Sequence, residues 1–276
     1  MPATSTPTGN VVPPVLTEPV AYAEFELDLT KALLENLPPI LASLPPATLT
    51  KEHVLSLPEA AQGVYMLLQN GEPMYIGKTD ATHGFRNRLY RHFLTLSARQ
   101  NLDLDHVQFK AVRIMVFTTV NVEKTLIEHF LGNNKMAWQN SGFGSNDPGH
   151  NRETQEPSDF DKAHPINIDR PLDFLKPFEG SALDLLIQLK ENLPYDLRYE
   201  TDIGPNKKPV KYTKGHEHQR ATHVQVAKDG MTLREVLSDV LIPALPDGWV
   251  VTVFPGRVIL YNEDRTYPYA HEQIRK

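Results

Sequence analysis

Apolar positions change their spacing several times along the chain, and each change predicts an element. From Gln62 to Gln69 they are nearly continuous, which reads as a strand. Asn70-Gly71 follows, a type I′ hairpin signal, and Pro73 to Ile76 reads as the returning strand, with Pro73 tolerable only at its start. Between Gly84 and Ser97 the period becomes helical, with Phe85, Leu89, Phe93 and Leu96 as the apolar stripe. Val107 to Phe117 predicts a centrally placed strand. Val122 to Leu131 predicts a helix that stops at Gly132-Asn133 and turns Leu126, Ile127, Phe130 and Leu131 to the core.

Outside this stretch the pattern is looser. Residues 1–20, rich in Pro, Thr and Val, predict a flexible or wrapping arm, and residues 21–60 predict helix broken at Pro38-Pro39 and Pro45-Pro46. Residues 141–178 have little periodicity and much Gly, Asn, Asp and Pro. A further unit starts near Ser181, where Ser181 with Asp184 is an imperfect helix start. Thr232 with Glu235 is a full capping box before Leu233, Val236, Leu237, Val240 and Leu241. Trp249 to Phe254 and Arg257 to Tyr261 predict a hairpin across Pro255-Gly256. The expected division is an N-terminal arm and helical region (1–60), a central domain (61–178) and a C-terminal α+β region (179–276), with no internal repeat.

Composition narrows the chemistry. The 276 residues include no cysteine, so disulfides, thiolate metal sites and cysteine nucleophiles are excluded, and a cytoplasmic setting fits. The first residues lack the basic start and apolar core of a signal peptide, and no apolar run reaches membrane-spanning length, so no membrane is expected. The formal net charge of -6 weighs against nucleic acid, but the charge is uneven. Residues 1–60 are acidic. Lys78, Arg86, Arg88, Arg91 and Arg99 make residues 71–99 basic, and Lys207, Lys208, Lys211, Lys214 and Arg220 do the same for residues 204–223. Both segments are candidate surfaces for phosphate.

Arg88 and His92 are four apart on the first central helix, so they share a face beside the apolar stripe. A guanidinium fork and an imidazole suit a phosphate; a solvated basic face has the same spacing. Glu128, on the second helix, can hold Mg²⁺ where phosphate oxygens and water complete the shell, or can be a surface glutamate. Asn140, beside Trp138, can position a ligand or turn the chain. His216, His218 and His223 with Glu217 lack a familiar zinc spacing and read as a solvated loop. Tyr65 and Tyr75 flank the Asn-Gly turn, each near a glycine, Gly63 and Gly77.

Taken in order, Gly63-Val64-Tyr65, Tyr75-Ile76-Gly77, Arg88, His92, Glu128 and Asn140 resemble the GIY-YIG nuclease superfamily, with Val64 in place of the usual Ile. The Arg-to-His spacing and the distance from Glu128 to Asn140 resemble its type II restriction endonuclease branch, in particular the subgroup cutting GC-rich palindromes such as CCGCGG. The resemblance implies an α+β fold, an α/β sandwich with a small mixed antiparallel sheet flanked by helices, followed by the C-terminal α+β extension. It implies metal-assisted hydrolysis of double-stranded DNA, leaving 5′-phosphate and 3′-hydroxyl ends, with Mg²⁺ (or Mn²⁺) on Glu128. Tyr65 is then the general base near the attacking water, helped by the metal, Arg88 or His92. Arg88 balances charge on the phosphoryl oxygens, Tyr75 bonds the phosphate or orients water, and Asn140 positions the phosphate or the Glu128 region. Lys78 is a further phosphate ligand, and the proton transfers stay undivided among Tyr65, His92 and Lys78.

For recognition, Arg152 can read guanine with Asn146, His150 or Asn151 beside it, or it can touch backbone phosphate from an ordered turn. Arg86, Arg91 and the basic residues of 207–220 are further DNA contacts. Cutting both strands of a palindrome implies a homodimer, and a restriction system implies a cognate DNA methyltransferase without a stable complex. The competing expectations are a structure-specific, repair or mobile-element nicking nuclease on the same core, and an inactive DNA-binding or protein-interaction domain.

Overall fold

The computed structural model describes residues 21, 23, 28–79, 82–115, 122–131, 136–144 and 153–276. The expectations for residues 1–20, for Phe117, for the stop at Gly132-Asn133 and for Asn146, His150, Asn151 and Arg152 lie outside the described residues.

The chain opens with α1 (Leu29–Ser43), β1 (Ala47–Thr48) and α2 (Lys51–Leu55). The expected break at Pro38-Pro39 does not occur: α1 runs through both prolines. Each proline removes a backbone donor and crowds the preceding turn. Burial of Leu37 and Leu41, together with Lys110 Nζ donating to the Leu41 carbonyl at 2.7 Å, holds the helix against the sheet despite them. The second proline pair, Pro45-Pro46, does lie beyond its end.

Next come β2 (Gly63–Gln69), β3 (Glu72–Thr79), α3 (Gly84–Ser97), β4 (Val107–Arg113) and α4 (Val122–Leu131). The four strands pair in the order β1-β4-β2-β3, antiparallel throughout. The predicted hairpin forms with Gln69 opposite Glu72. Asn70 at φ 53° and Gly71 at φ 84° supply the two positive angles of a type I′ turn.

β2 is buried along nearly its whole length because it serves two cores. Val64, Met66 and Leu68 face α1 and α4, packing with Leu37, Leu41, Ile76 and Leu126. Tyr65 and Leu67 face the other way, toward α3, packing with Tyr75, Phe85, Leu89 and Leu96. That alternation is the period of a strand, and it assigns the two motif tyrosines to the α3 face.

The remaining elements are α5 (Asp159–Ala163), β5 (Phe178–Ser181), α6 (Ala182–Asn192), β6 (Asp196–Tyr199), α7 (Glu217–Ala221), β7 (His223–Val226), β8 (Trp249–Val253), β9 (Arg257–Asn262) and β10 (Glu272–Ile274). Between β7 and β8, Leu233–Glu235, a π-helical stretch Val236–Leu241 and Ile242–Ala244 run on as one rod, started by the Thr232–Glu235 capping box. β5 pairs with β7, and the larger sheet has the order β10-β8-β9-β6. Among the described residues pairing is mixed only in this sheet, where β6 runs parallel to β9, and not in the central four-stranded sheet, where a mixed one was expected. Leu185, Leu189, Leu197, Leu237, Trp249 and Leu260 are among the side chains of a separate core. Among the described residues no helix is long and apolar enough to cross a membrane.

The C-terminal unit is bonded to the central one through buried charge. Arg99, just beyond α3, meets Asp161 at 2.7 Å and donates to the carbonyls of His164 and Pro255. Arg198 on β6 meets Glu153 at 3.2 Å with both side chains under a tenth exposed (8% and 7%), and the Tyr261 hydroxyl donates to the same carboxylate at 3.2 Å. Removing one partner strands the other in a dry site. Arg198→Ala is therefore expected to cost about 3–5 kcal/mol in urea denaturation, and Arg198→Met with Glu153→Leu to cost much less.

Candidate active site

The register of the β2–β3 hairpin builds the site. Tyr65 stands opposite Gly77, and Tyr75 stands opposite Leu67, so the two tyrosines are diagonal neighbours on one face with ring centroids 6.1 Å apart. Gly77 is obligatory here: a Cβ at that position would lie 2.3 Å from the Tyr65 hydroxyl oxygen and 2.4 Å from its ring carbon Cζ. Gly63 is equally constrained, since a Cβ there would lie 2.1 Å from the Val112 carbonyl oxygen on the neighbouring strand. The glycines of the motif thus clear space for a ring and a backbone.

Helix α3 brings the other two groups. His92 Nε2 lies 2.7 Å from the Tyr65 hydroxyl, and Arg88 Nε donates to the same oxygen at 3.4 Å. Burial pushes the Tyr65 phenol well above its ordinary range; Tyr75 adds to this and Arg88 opposes it. Burial likewise pushes His92 down to about 3, and the charges of Arg88 and Arg91 add to the effect. At neutral pH the pair is thus a neutral phenol and a neutral imidazole.

A turn over residues 136–144 closes the site on the side of Tyr75. β3 is an edge strand, and its outward backbone groups need partners. Gln139 Oε1 accepts from the Ile76 amide at 3.0 Å, and the Trp138 amide donates to the Met74 carbonyl at 3.1 Å. The chain then reverses through Asn140, Gly142 and Gly144, all at positive φ. This carries Phe143 onto His92, ring planes 25° apart and centroids 4.8 Å apart. Neither Phe143 nor Gln139 is among the sequence-predicted site residues. The Gly-Phe-Gly run that follows Asn140-Ser141 is the one local signal that marked Phe143.

The structure therefore gathers Tyr65, Tyr75, Arg88 and His92. Asn140 is exposed in the middle of the closing turn. Glu128 is solvent-facing on α4, with Lys124 at 3.8 Å, and among the described residues it makes no contact with the four. Lys78 lies on the opposite face of β3 from the tyrosines, its ammonium 3.8 Å from Glu123. Arg86 donates twice to the Leu57 carbonyl, at 3.2 and 2.9 Å, and so straps a loop. Arg91 is exposed beside Arg88.

Lys207, Lys208, Lys211 and Lys214 are exposed, whereas Arg220 is engaged by Asp202 at 2.7 Å and by the carbonyls of Lys214 and Gly215. The histidines of that segment are structural. His216 caps α7, and His218 Nδ1 accepts from the Trp249 indole at 3.2 Å. Among the described residues no cluster of three or more His, Asp or Glu can hold a metal by itself. A single open carboxylate at Glu128 fits a cation that arrives with a phosphate and keeps its waters.

Arg88, His92 and Phe143 open on a cleft of about 950 Å³ whose far wall, including Tyr195, Asp196 and Arg257, belongs to the C-terminal unit.

Residues 66–168 match the family model of the Eco29kI GIY-YIG domain. The match begins one residue past Tyr65 and spans Tyr75, Arg88, His92, Glu128 and Asn140. No curated protein matches the chain.

Two outcomes test the site. Gly77→Ala drives a methyl group into the Tyr65 ring and is expected to cost about 1–3 kcal/mol through overpacking and to displace the hydroxyl. Gly71→Ala, with nothing within 4 Å, costs only its backbone strain, about 1 kcal/mol. Equal losses in urea denaturation would contradict the clearance argument. For His92 the folded value is depressed, so below about 6.5 the unfolded chain binds the extra proton. Its stability contribution is complete above about 6.5 and is lost as pH falls toward 3, by up to about 1.4 kcal/mol per pH unit. His92→Gln is expected to flatten that slope.

Proposed function

We propose that this GIY-YIG nuclease domain serves a sequence-specific double-stranded DNA endonuclease of the type II restriction class. The observation that carries the reading is the Tyr65 hydroxyl held between an imidazole nitrogen and a guanidinium. Arg88 has only donors, so its bond makes the phenol oxygen the acceptor and leaves the phenolic proton for His92 Nε2. A phenol with a raised pKa is a poor base alone. With the negative charge of a bound phosphate favouring protonation of the imidazole, His92 Nε2 would take the phenolic proton, and the resulting phenolate, stabilised by Arg88, would take a proton from the attacking water.

Glu128 would hold a divalent cation together with phosphate oxygens and water. Bound Mg²⁺, or Mn²⁺, supplies charge neutralisation at the scissile phosphate and its leaving 3′ oxygen. Arg88 also faces the cleft and suits a non-bridging phosphate oxygen. Tyr75 and Asn140 orient the phosphate or the water. Lys78 is assigned a peripheral contact with DNA on the α4 side. Products carry 5′-phosphate and 3′-hydroxyl ends. Arg91, Lys207, Lys208, Lys211 and Lys214 are the exposed cations proposed to meet DNA phosphates, and Arg152 with its neighbours is proposed to read bases. One such site per chain favours a homodimer on a palindrome, acting in the cytoplasm beside a methyltransferase that protects the same site.

Incubation with plasmid DNA and Mg²⁺ tests the reading. Discrete fragments are expected from the natural chain, and a loss of roughly a hundredfold or more from Glu128→Ala and Tyr65→Phe, with unchanged folding. Sequenced ends give the site and stagger. Nicking confined to branched or damaged DNA would favour a structure-specific enzyme on the same core. Failure to bind DNA at low salt would overturn both.

A further inference from the structure

The Tyr65–His92 pair is held by a ring that does not titrate. The imidazole has Phe143 stacked on it, Tyr75 at 5.6 Å centroid to centroid and nearly edge-on, and Tyr65 at 5.5 Å. Phe143 also meets Tyr75 edge-on at 5.2 Å. From behind, Trp138 at 5.4 Å and Phe160 at 4.9 Å fix the Phe143 ring. Phe160 in turn lies 5.1 Å beneath the Arg99 guanidinium, the group bonded to Asp161 and to the Pro255 carbonyl of the C-terminal unit. An unbroken line of contacts thus runs from the β8–β9 turn to the reacting phenol.

We propose that Phe143 is a positioning residue whose ring fixes the imidazole of His92 so that Nε2 stays aimed at the Tyr65 hydroxyl, and that the C-terminal unit braces this stack through Arg99 and Phe160. The proposal deepens, and for its catalytic part rests on, the nuclease reading above.

A side-chain hydrogen bond at one ring nitrogen leaves an imidazole free to swing about its Cβ–Cγ bond unless neighbouring surfaces confine it. Phe143 is the flat surface that does so. It also keeps water from the ring. Among the described residues, the charged or titratable groups facing His92 are Tyr65 from β2, Tyr75 from β3, and Arg88 and Arg91 from its own helix. The closing turn contributes none, and Asp161 of α5, which lines the same cleft, is engaged by Arg99. Loss of the ring therefore changes hydration and orientation while leaving the local charges in place.

The test compares Phe143→Leu, which keeps apolar volume without a ring, with Phe143→Tyr, which keeps the stack, in the full-length chain. NMR titration of the His92 imidazole and the pH profile of kcat are read together, with DNA affinity measured in Ca²⁺. For Phe143→Leu, kcat is expected to fall on the order of tenfold to a hundredfold at pH 6 and less at pH 8, with DNA affinity unchanged. The His92 titration is expected to move up toward the ordinary imidazole value, about 6.5. Phe143→Tyr is expected to restore both. An unshifted His92 titration in Phe143→Leu, or a loss confined to DNA affinity, overturns the proposal. If the natural chain does not cut DNA, the nuclease reading fails by itself, and the His92 titration still decides whether Phe143 orients and shields the ring.

Discussion

A buried hydroxyl must find its hydrogen-bond partners inside the fold, and the arrangement around Tyr65 follows from that requirement. The ring lies fully buried on β2, so its oxygen has to be met by His92 and Arg88. Both come from one face of α3, one turn apart, which fixes how that helix crosses the sheet. The same oxygen passes so close to β3 that the strand must present a glycine at residue 77. Helix placement, hairpin register and one glycine are thus three consequences of a single polar atom in a dry place.

The central strand makes this arrangement stiff. Because β2 feeds one core with Val64, Met66 and Leu68 and another with Tyr65 and Leu67, a slip of one residue would exchange the two sets. Tyrosine on the α4 side would meet Leu126 and Leu37, apolar side chains that offer its hydroxyl no hydrogen bond. Register is accordingly specified twice, once by apolar volume and once by polar satisfaction, and the type I′ turn at Asn70-Gly71 sets the same register locally.

Much of this was legible in the sequence because it is encoded locally. The Asn-Gly turn, the helix over Gly84–Ser97, the helix over Val122–Leu131 and the Thr232 capping box each depend on residues within one element, and each forms at its expected place. The gathering of Tyr65, Tyr75, Arg88 and His92 was legible through motif order. Other features depend on distant partners. The prolines of α1 are tolerated because of what Leu37 and Leu41 bury, which spacing does not reveal. Arg86 and Arg91 look alike in sequence, yet Arg86 is spent on the Leu57 carbonyl and Arg91 stays open. The turn that brings Phe143 to His92 docks on the free edge of β3 through Gln139, a contact across 63 positions.

The Arg99 junction has a consequence in time. Synthesis delivers Tyr65, Arg88 and His92 early, but the Pro255 carbonyl that receives Arg99 comes 156 residues after it. Contacts of such separation form late, because a long loop must close before they contribute. Asp161 and Phe160, which sit between that junction and the Tyr65 phenol, are also made after α3. A growing chain thus carries Tyr65, Arg88 and His92 well before it carries the carbonyl that Arg99 meets. The arrangement around Tyr65 is therefore joined to the C-terminal sheet by a contact of long sequence separation, at the end of α3.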